Sequence, residues 1–79
     1  MKWIELSIIC ERVATDEVTT LFSDYADNGI IEEDIEDTPE HVKITLYGPE
    51  GMSGEDFTAI VTERLNAAKI NVIDMVTNE

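Results

Sequence analysis

Six carboxylates fall within nine residues, Glu32, Glu33, Asp34, Glu36, Asp37 and Glu40, the densest group of reactive side chains in this 79-residue chain. Carboxylates at such spacing could hold a hard cation through oxygen, dock a basic partner, or form a solvated hairpin tip. The preceding stretch Asp24-Tyr25-Ala26-Asp27-Asn28-Gly29-Ile30-Ile31 echoes an EF-hand loop, with Gly at the sixth place and Ile at the eighth. Ala26, however, occupies the third ligand position, and Ile35 stands where the bidentate Glu is required. No metal site is therefore expected, which leaves the docking surface and the solvated tip.

The remaining candidates for chemistry are few. His41 is the only histidine and has Glu40 beside it, but no Ser, Cys or second carboxylate is placed to complete a relay. It reads as a surface residue that begins a strand. Cys10 is the only cysteine, so no internal disulfide can form, and its place in an apolar register makes it a buried, inert thiol. Trp3 and Tyr47 on one sheet face resemble a base-stacking platform. The basic surround that nucleic acid needs is missing, with only Lys2 and Lys43 near. An amphipathic patch for a protein partner fits better, with packing within a dimer as its rival. No catalytic, cofactor-binding or metal-binding residue is assigned.

Charge points the same way. Eighteen acidic residues against five basic ones give a net charge of −13. A field of that sign repels nucleic acid and anionic membranes and attracts basic proteins, although acidity for solubility alone is the simpler reading. No apolar run approaches the roughly 20 residues of a membrane span. Glu5 and Ser7 interrupt the apolar start, so no signal peptide is expected, and a single cysteine fits a reducing cytoplasm.

These residues need elements to position them. In Lys2–Cys10, Ile4, Leu6, Ile8 and Cys10 alternate on one face, while Trp3 and Ile9 put apolar surface on the other. That predicts a central strand. Thr15 is the expected N-cap of a helix whose stripe is Ala14, Val18, Leu21, Phe22 and Tyr25, closed by Asn28-Gly29. A short acidic strand follows over Gly29–Ile35, then a turn at Glu36–Glu40 around Pro39. His41–Tyr47 alternates cleanly, with Val42, Ile44 and Leu46 inward and His41, Lys43, Thr45 and Tyr47 outward. After Gly48–Gly51, Ser53 and Asp56 form a weak capping box for a helix with stripe Phe57, Ile60, Val61, Leu65 and Ala68. A last strand is expected near Lys69–Val76.

The order strand–helix–strand–strand–helix–strand predicts an α+β, ferredoxin-like βαββαβ two-layer sandwich. A four-stranded antiparallel sheet would carry both helices on one face, with the first and third strands central and the acidic second strand at an edge. The whole of 1–79 reads as a single domain. Its open face would present Trp3, Lys43, Thr45 and Tyr47, and the adjoining Glu32, Glu33, Asp34, Glu36 and Asp37 would extend that partner-binding surface.

Two stretches carry a family resemblance: Met1-Lys2-Trp3-Ile4-Glu5-Leu6-Ser7-Ile8, and Asn28-Gly29-Ile30-Ile31-Glu32-Glu33-Asp34 after the first helix. Together they resemble the N-terminal domain of the bacterial ribosomal protein L-eleven methyltransferases. That family opens with a Lys-Trp-x-Glu-Leu-Ser-type strand and follows its first helix with Gly-Val-x-Ile-Glu-Asp. Val42–Tyr47 and Ile70–Ile73 are similar more loosely to its third and fourth strands. The resemblance implies a ferredoxin-like domain that captures a basic ribosomal protein for a separate catalytic domain using S-adenosylmethionine. This chain departs from the pattern in its shorter hairpin turn, and it stops where the linker and catalytic domain would begin. Gly48-x-x-Gly51 is too short for a nucleoside-binding fingerprint and contains Pro49. By itself the chain is thus expected to be no enzyme and to bind no S-adenosylmethionine, the cofactor being expected only of the parent protein. The alternative is a free-standing acidic ferredoxin-like domain that dimerises or binds a small effector through its open sheet. A weaker third reading is an acidic mimic of nucleic acid.

Overall fold

A computed structural model describes residues 4–78 of the chain. The alternating strand β1 (Glu5–Glu11) lies inside the sheet, with β3 (His41–Tyr47) on one side and β4 (Asp74–Asn78) on the other. Among the described residues the edge strand β2 (Ile30–Asp34) pairs only with β3, so the order is β2-β3-β1-β4 and every pairing is antiparallel. Both α1 (Thr15–Leu21) and α2 (Gly54–Ala67) pack on one face, because Val18 and Phe22 share a single core with Phe57, Val61, Leu65 and the inward residues of β1 and β3. This is the two-layer α+β arrangement that the alternation and the helical stripes predict. Leu6, Ile8, Cys10, Ile44 and Leu46 are fully buried beneath the helices.

Burying a large apolar side chain stabilises by about 1.5–3 kcal/mol, so this face dominates the free energy of folding. The other face of the sheet is left without a covering element among the described residues.

Local details differ from the sequence reading in three places. The first is the entry to α1. Thr15 is its first residue rather than its cap, since a 3₁₀ turn, Arg12–Ala14, feeds straight into the helix. The Thr15 hydroxyl is buried against the Cys10 thiol, outside hydrogen-bond geometry. The second is the exit. The α-helix stops at Leu21, and Ser23–Asn28 continues as a tighter 3₁₀ segment. That winding keeps Tyr25 in the core, with its ring meeting Phe57 edge-on at 5.3 Å and 78°. Gly29 follows at φ +98° and ψ 133°, positive as expected but outside the left-handed helical region.

The third difference is the last strand, which begins at Asp74 instead of near Lys69. The residues between serve to close α2. Lys69 N–H donates to Asn66 C=O at 3.1 Å and Ile70 N–H to Leu65 C=O at 3.0 Å, with Ile70 buried against the core. This is a Schellman closure, and it puts Lys69 at φ +59°, where glycine is the favoured residue. A non-glycine residue there costs about 1–2 kcal/mol. Lys69→Gly should raise stability by about 1 kcal/mol and the melting temperature by about 4–8 °C, less a few tenths for the lost cation at the helix C-terminus. An unchanged or lower melting temperature would refute the strain. At the other end of α2 the capping expectation holds, as Ser53 Oγ accepts from the Asp56 N–H at 3.1 Å.

Candidate functional site

Strand register turns the open face into a grid. Ile31, Thr45, Ser7 and Val76 form one row across the four strands, since Ile31 pairs with Thr45, Thr45 with Ser7, and Ser7 with Val76. Glu33, Lys43, Ile9 and Asp74 form the next row, and Tyr47, Glu5 and Asn78 the row on the other side. Lys43, Thr45 and Tyr47 do share this face, as the alternation of β3 requires. Thr45 is only 3% exposed, though, so with Ser7 it forms the floor of the face rather than its surface. The exposed apolar surface comes instead from the edge strands: Ile31 is 44% and Val76 47% exposed. Glu5, Glu11, Glu33 and Asp74 surround these apolar residues with carboxylates, against Lys43 and His41 as the basic groups of the face. Trp3 lies outside the described residues.

The acidic run does not form one surface. Alternation along β2 sends Glu33 to the open face, while Glu32 and Asp34 turn to the helix side. Asp34 is engaged there, because Arg12 Nη2 donates to its Oδ1 at 2.9 Å while Arg12 Nε donates to Pro39 C=O at 2.9 Å. Arg12 thus ties the entry of α1 to the hairpin, an arrangement its own backbone N–H extends to Glu40 C=O. Glu36 and Asp37 sit in the exposed hairpin turn.

The EF-hand echo is also put to another use. Asp24, in its first position, takes both arms of Arg64, at 2.7 and 2.9 Å, and Arg64 lies over the rings of Tyr25 and Phe22. The hydrogen bonds from Arg64 hold the Asp24 carboxyl below the usual carboxylate range, and the same bonds to Asp24 raise the pKa of the guanidinium. The pair fastens α2 to the 3₁₀ segment. Among the described residues, no group of three or more His, Cys, Asp or Glu side chains is placed to hold a metal ion. Burial pushes the Cys10 thiol above its ordinary pKa, which leaves it a packing residue and a poor nucleophile. No helix of the described residues is long and apolar enough to cross a membrane.

Ile31, Val76, Glu5 and Asp74 belong to this face but not to the surface that the sequence predicts. The alternation Asp74-Met75-Val76-Thr77 marks the β4 pair, but a strand expected from Lys69 obscures it. No family model matches the chain, and no curated protein matches it.

Proposed function

We propose that this chain is a protein-recognition domain that captures a basic partner on the open face of its sheet. On the resemblance of its first strand and of the passage into β2, the partner is ribosomal protein L-eleven, delivered to a methyltransferase domain that uses S-adenosylmethionine. The observation that carries the reading is the composition of that face, apolar Ile9, Ile31, Tyr47 and Val76 among the carboxylates of Glu5, Glu11, Glu33 and Asp74. Such a surface attracts a cationic protein at long range and offers it apolar area on contact. The chain itself supplies recognition and no chemistry. A dimer through the same face has the same apolar residues in its favour, but it brings together two copies carrying a charge of −13 each.

Titration of the chain with purified ribosomal protein L-eleven tests the reading. Binding at tens of micromolar or tighter is expected at low ionic strength, weakening steeply as salt is added. Absence of binding at low salt would remove the main support for it. S-adenosylmethionine should leave the melting temperature of the chain unchanged, whereas a clear upward shift would reveal a cofactor site.

A further inference from the structure

The two edges of the sheet are chemically unlike. β2 exposes Glu32, Glu33 and Asp34 in five residues, and charge of that density discourages strand pairing. β4 reads Asp-Met-Val-Thr-Asn, carries one charge, and among the described residues has β1 as its single partner strand. Ile73 and Val76, two of the four large apolar residues most exposed on the described surface, stand at this edge.

Hollows flank β4 on both faces of the sheet. On the open face, one of about 230 Å³ lies over Ser7 and is lined by Ile9, Lys43, Asp74 and Val76, so its inner wall carries the Lys43 cation and its β4 wall is apolar and acidic. On the helix side, one of about 370 Å³ is lined by Glu55, Thr58 and Thr77, where the two threonine hydroxyls share a hydrogen bond of 2.7 Å. A strand added beside β4 would send alternate side chains to the two faces, one set against Val76 at the β4 wall of the open-face hollow and the other against the helix-side hollow.

Resting on the recognition reading above, we propose that β4 is the docking edge, and that its occupant is an extended segment of the basic partner which joins the sheet as a fifth strand. The segment alternates apolar and basic residues. Its apolar side chains meet Val76 on the open face, and its Lys or Arg side chains reach Glu55 on the helix side. Backbone hydrogen bonds to β4 supply affinity, while Val76 on one face and Glu55 on the other supply selectivity. The net charge of −13 selects a cationic segment over a second copy of this chain.

The test uses the ¹⁵N-labelled chain and the peptide acetyl-Lys-Val-Lys-Val-Lys-Val-Lys-amide at low salt, read by amide hydrogen exchange and titration. Slowed exchange along Asp74–Asn78 is expected. Glu55→Lys should weaken binding by about tenfold, Glu55→Gln by less, and Glu17→Lys on the exposed surface of α1 by no more than about twofold despite the same change in charge. Equal losses for Glu55→Lys and Glu17→Lys, or protection along β2, would overturn the proposal. Shifts confined to Lys43 and Tyr47, without protection of β4, would discard the edge and leave the recognition reading standing. Failure of both the peptide and ribosomal protein L-eleven to bind would remove both. Self-association of the chain through β4, seen by sedimentation, would replace the basic segment with a second copy and so overturn the proposal too.

Discussion

Phe57→Ala is expected to destabilise the domain by about 3–5 kcal/mol, the range for removing a fully buried phenylalanine. Domains of this size have about 4–12 kcal/mol in total, at roughly 0.05–0.15 kcal/mol per residue, so the variant should be near its unfolding threshold at room temperature. The cost belongs at the upper end because the site cannot close around the missing ring. Tyr25 packs against Phe57 at a T-shaped angle, and the Gly48 backbone, fixed to Ile4 C=O by a hydrogen bond of 2.9 Å, lies against the same ring. A Cβ built on Gly48 would stand 3.0–3.3 Å from three ring atoms, which shows how little space separates them. Gly48→Ala should therefore cost about 1–3 kcal/mol by overpacking. Combined with Phe57→Leu, whose smaller side chain leaves room for the new methyl, the two losses should fall short of their sum by about 0.5 kcal/mol or more. Urea denaturation of the four proteins measures this directly. A loss below about 1.5 kcal/mol for Phe57→Ala would show that α2 settles into the space, contrary to the contacts described.

The contrast between strands β1 and β3 and the rest shows what a sequence displays openly. Both are inner strands with one face under the helices, so burial imposes a strict period of two on Ile4–Cys10 and on Val42–Leu46, and the period can be read without a structure. The same holds for Phe57, Val61 and Leu65 along α2. Lys69 and Thr15 are different. The closure of α2 falls on a lysine in a conformation that glycine prefers, so no residue type marks it, and the polar stretch after it resembles the start of a strand. Thr15 has the composition of a cap, but the tertiary position of the turn before it decides that its hydroxyl points inward.

The candidate face was legible in part for a related reason. Alternation assigns Lys43, Thr45 and Tyr47 to one side of β3, and the structure keeps them there. How exposed each one is depends on cross-strand neighbours, which follow from register between distant segments. Thr45 is covered because it lies mid-sheet between Ile31 and Ser7, whereas Ile31 and Val76 are exposed because their strands are edges. Neither fact is local in sequence. The acidic run likewise looks continuous along the chain and becomes two-sided only when β2 is extended and pleated.

Thermal stability at neutral pH should rise by at least about 5 °C between about 10 mM and 0.5 M sodium chloride, because the screening length falls from about 30 Å to a few ångströms over that range. The domain measures 34 × 27 × 20 Å, so at the lower salt nearly all of its charges act on one another. With eighteen acidic and five basic residues, that mutual action is repulsive. Two of the five cations, Arg12 and Arg64, are each already paired with one carboxylate, which leaves the excess on the sheet face, hairpin turn and helix surfaces. Mild acidification relieves the same repulsion as carboxylates begin to take up protons, so the gain from salt should be smaller near pH 5 than at pH 7. Stronger acid works in the opposite direction through Asp24. Its folded-state pKa is depressed, first by the hydrogen bonds from Arg64, so its contribution is present above the unfolded pKa of about 4 and is lost as pH falls through the lower folded value. Asp24→Asn should consequently shorten the acid limb of the stability profile while leaving the salt response at pH 7 nearly intact. If the melting temperature were flat or falling with salt at pH 7, local pairing would outweigh net repulsion, and the carboxylates around the open face would no longer count as an unneutralised field available to a cationic partner.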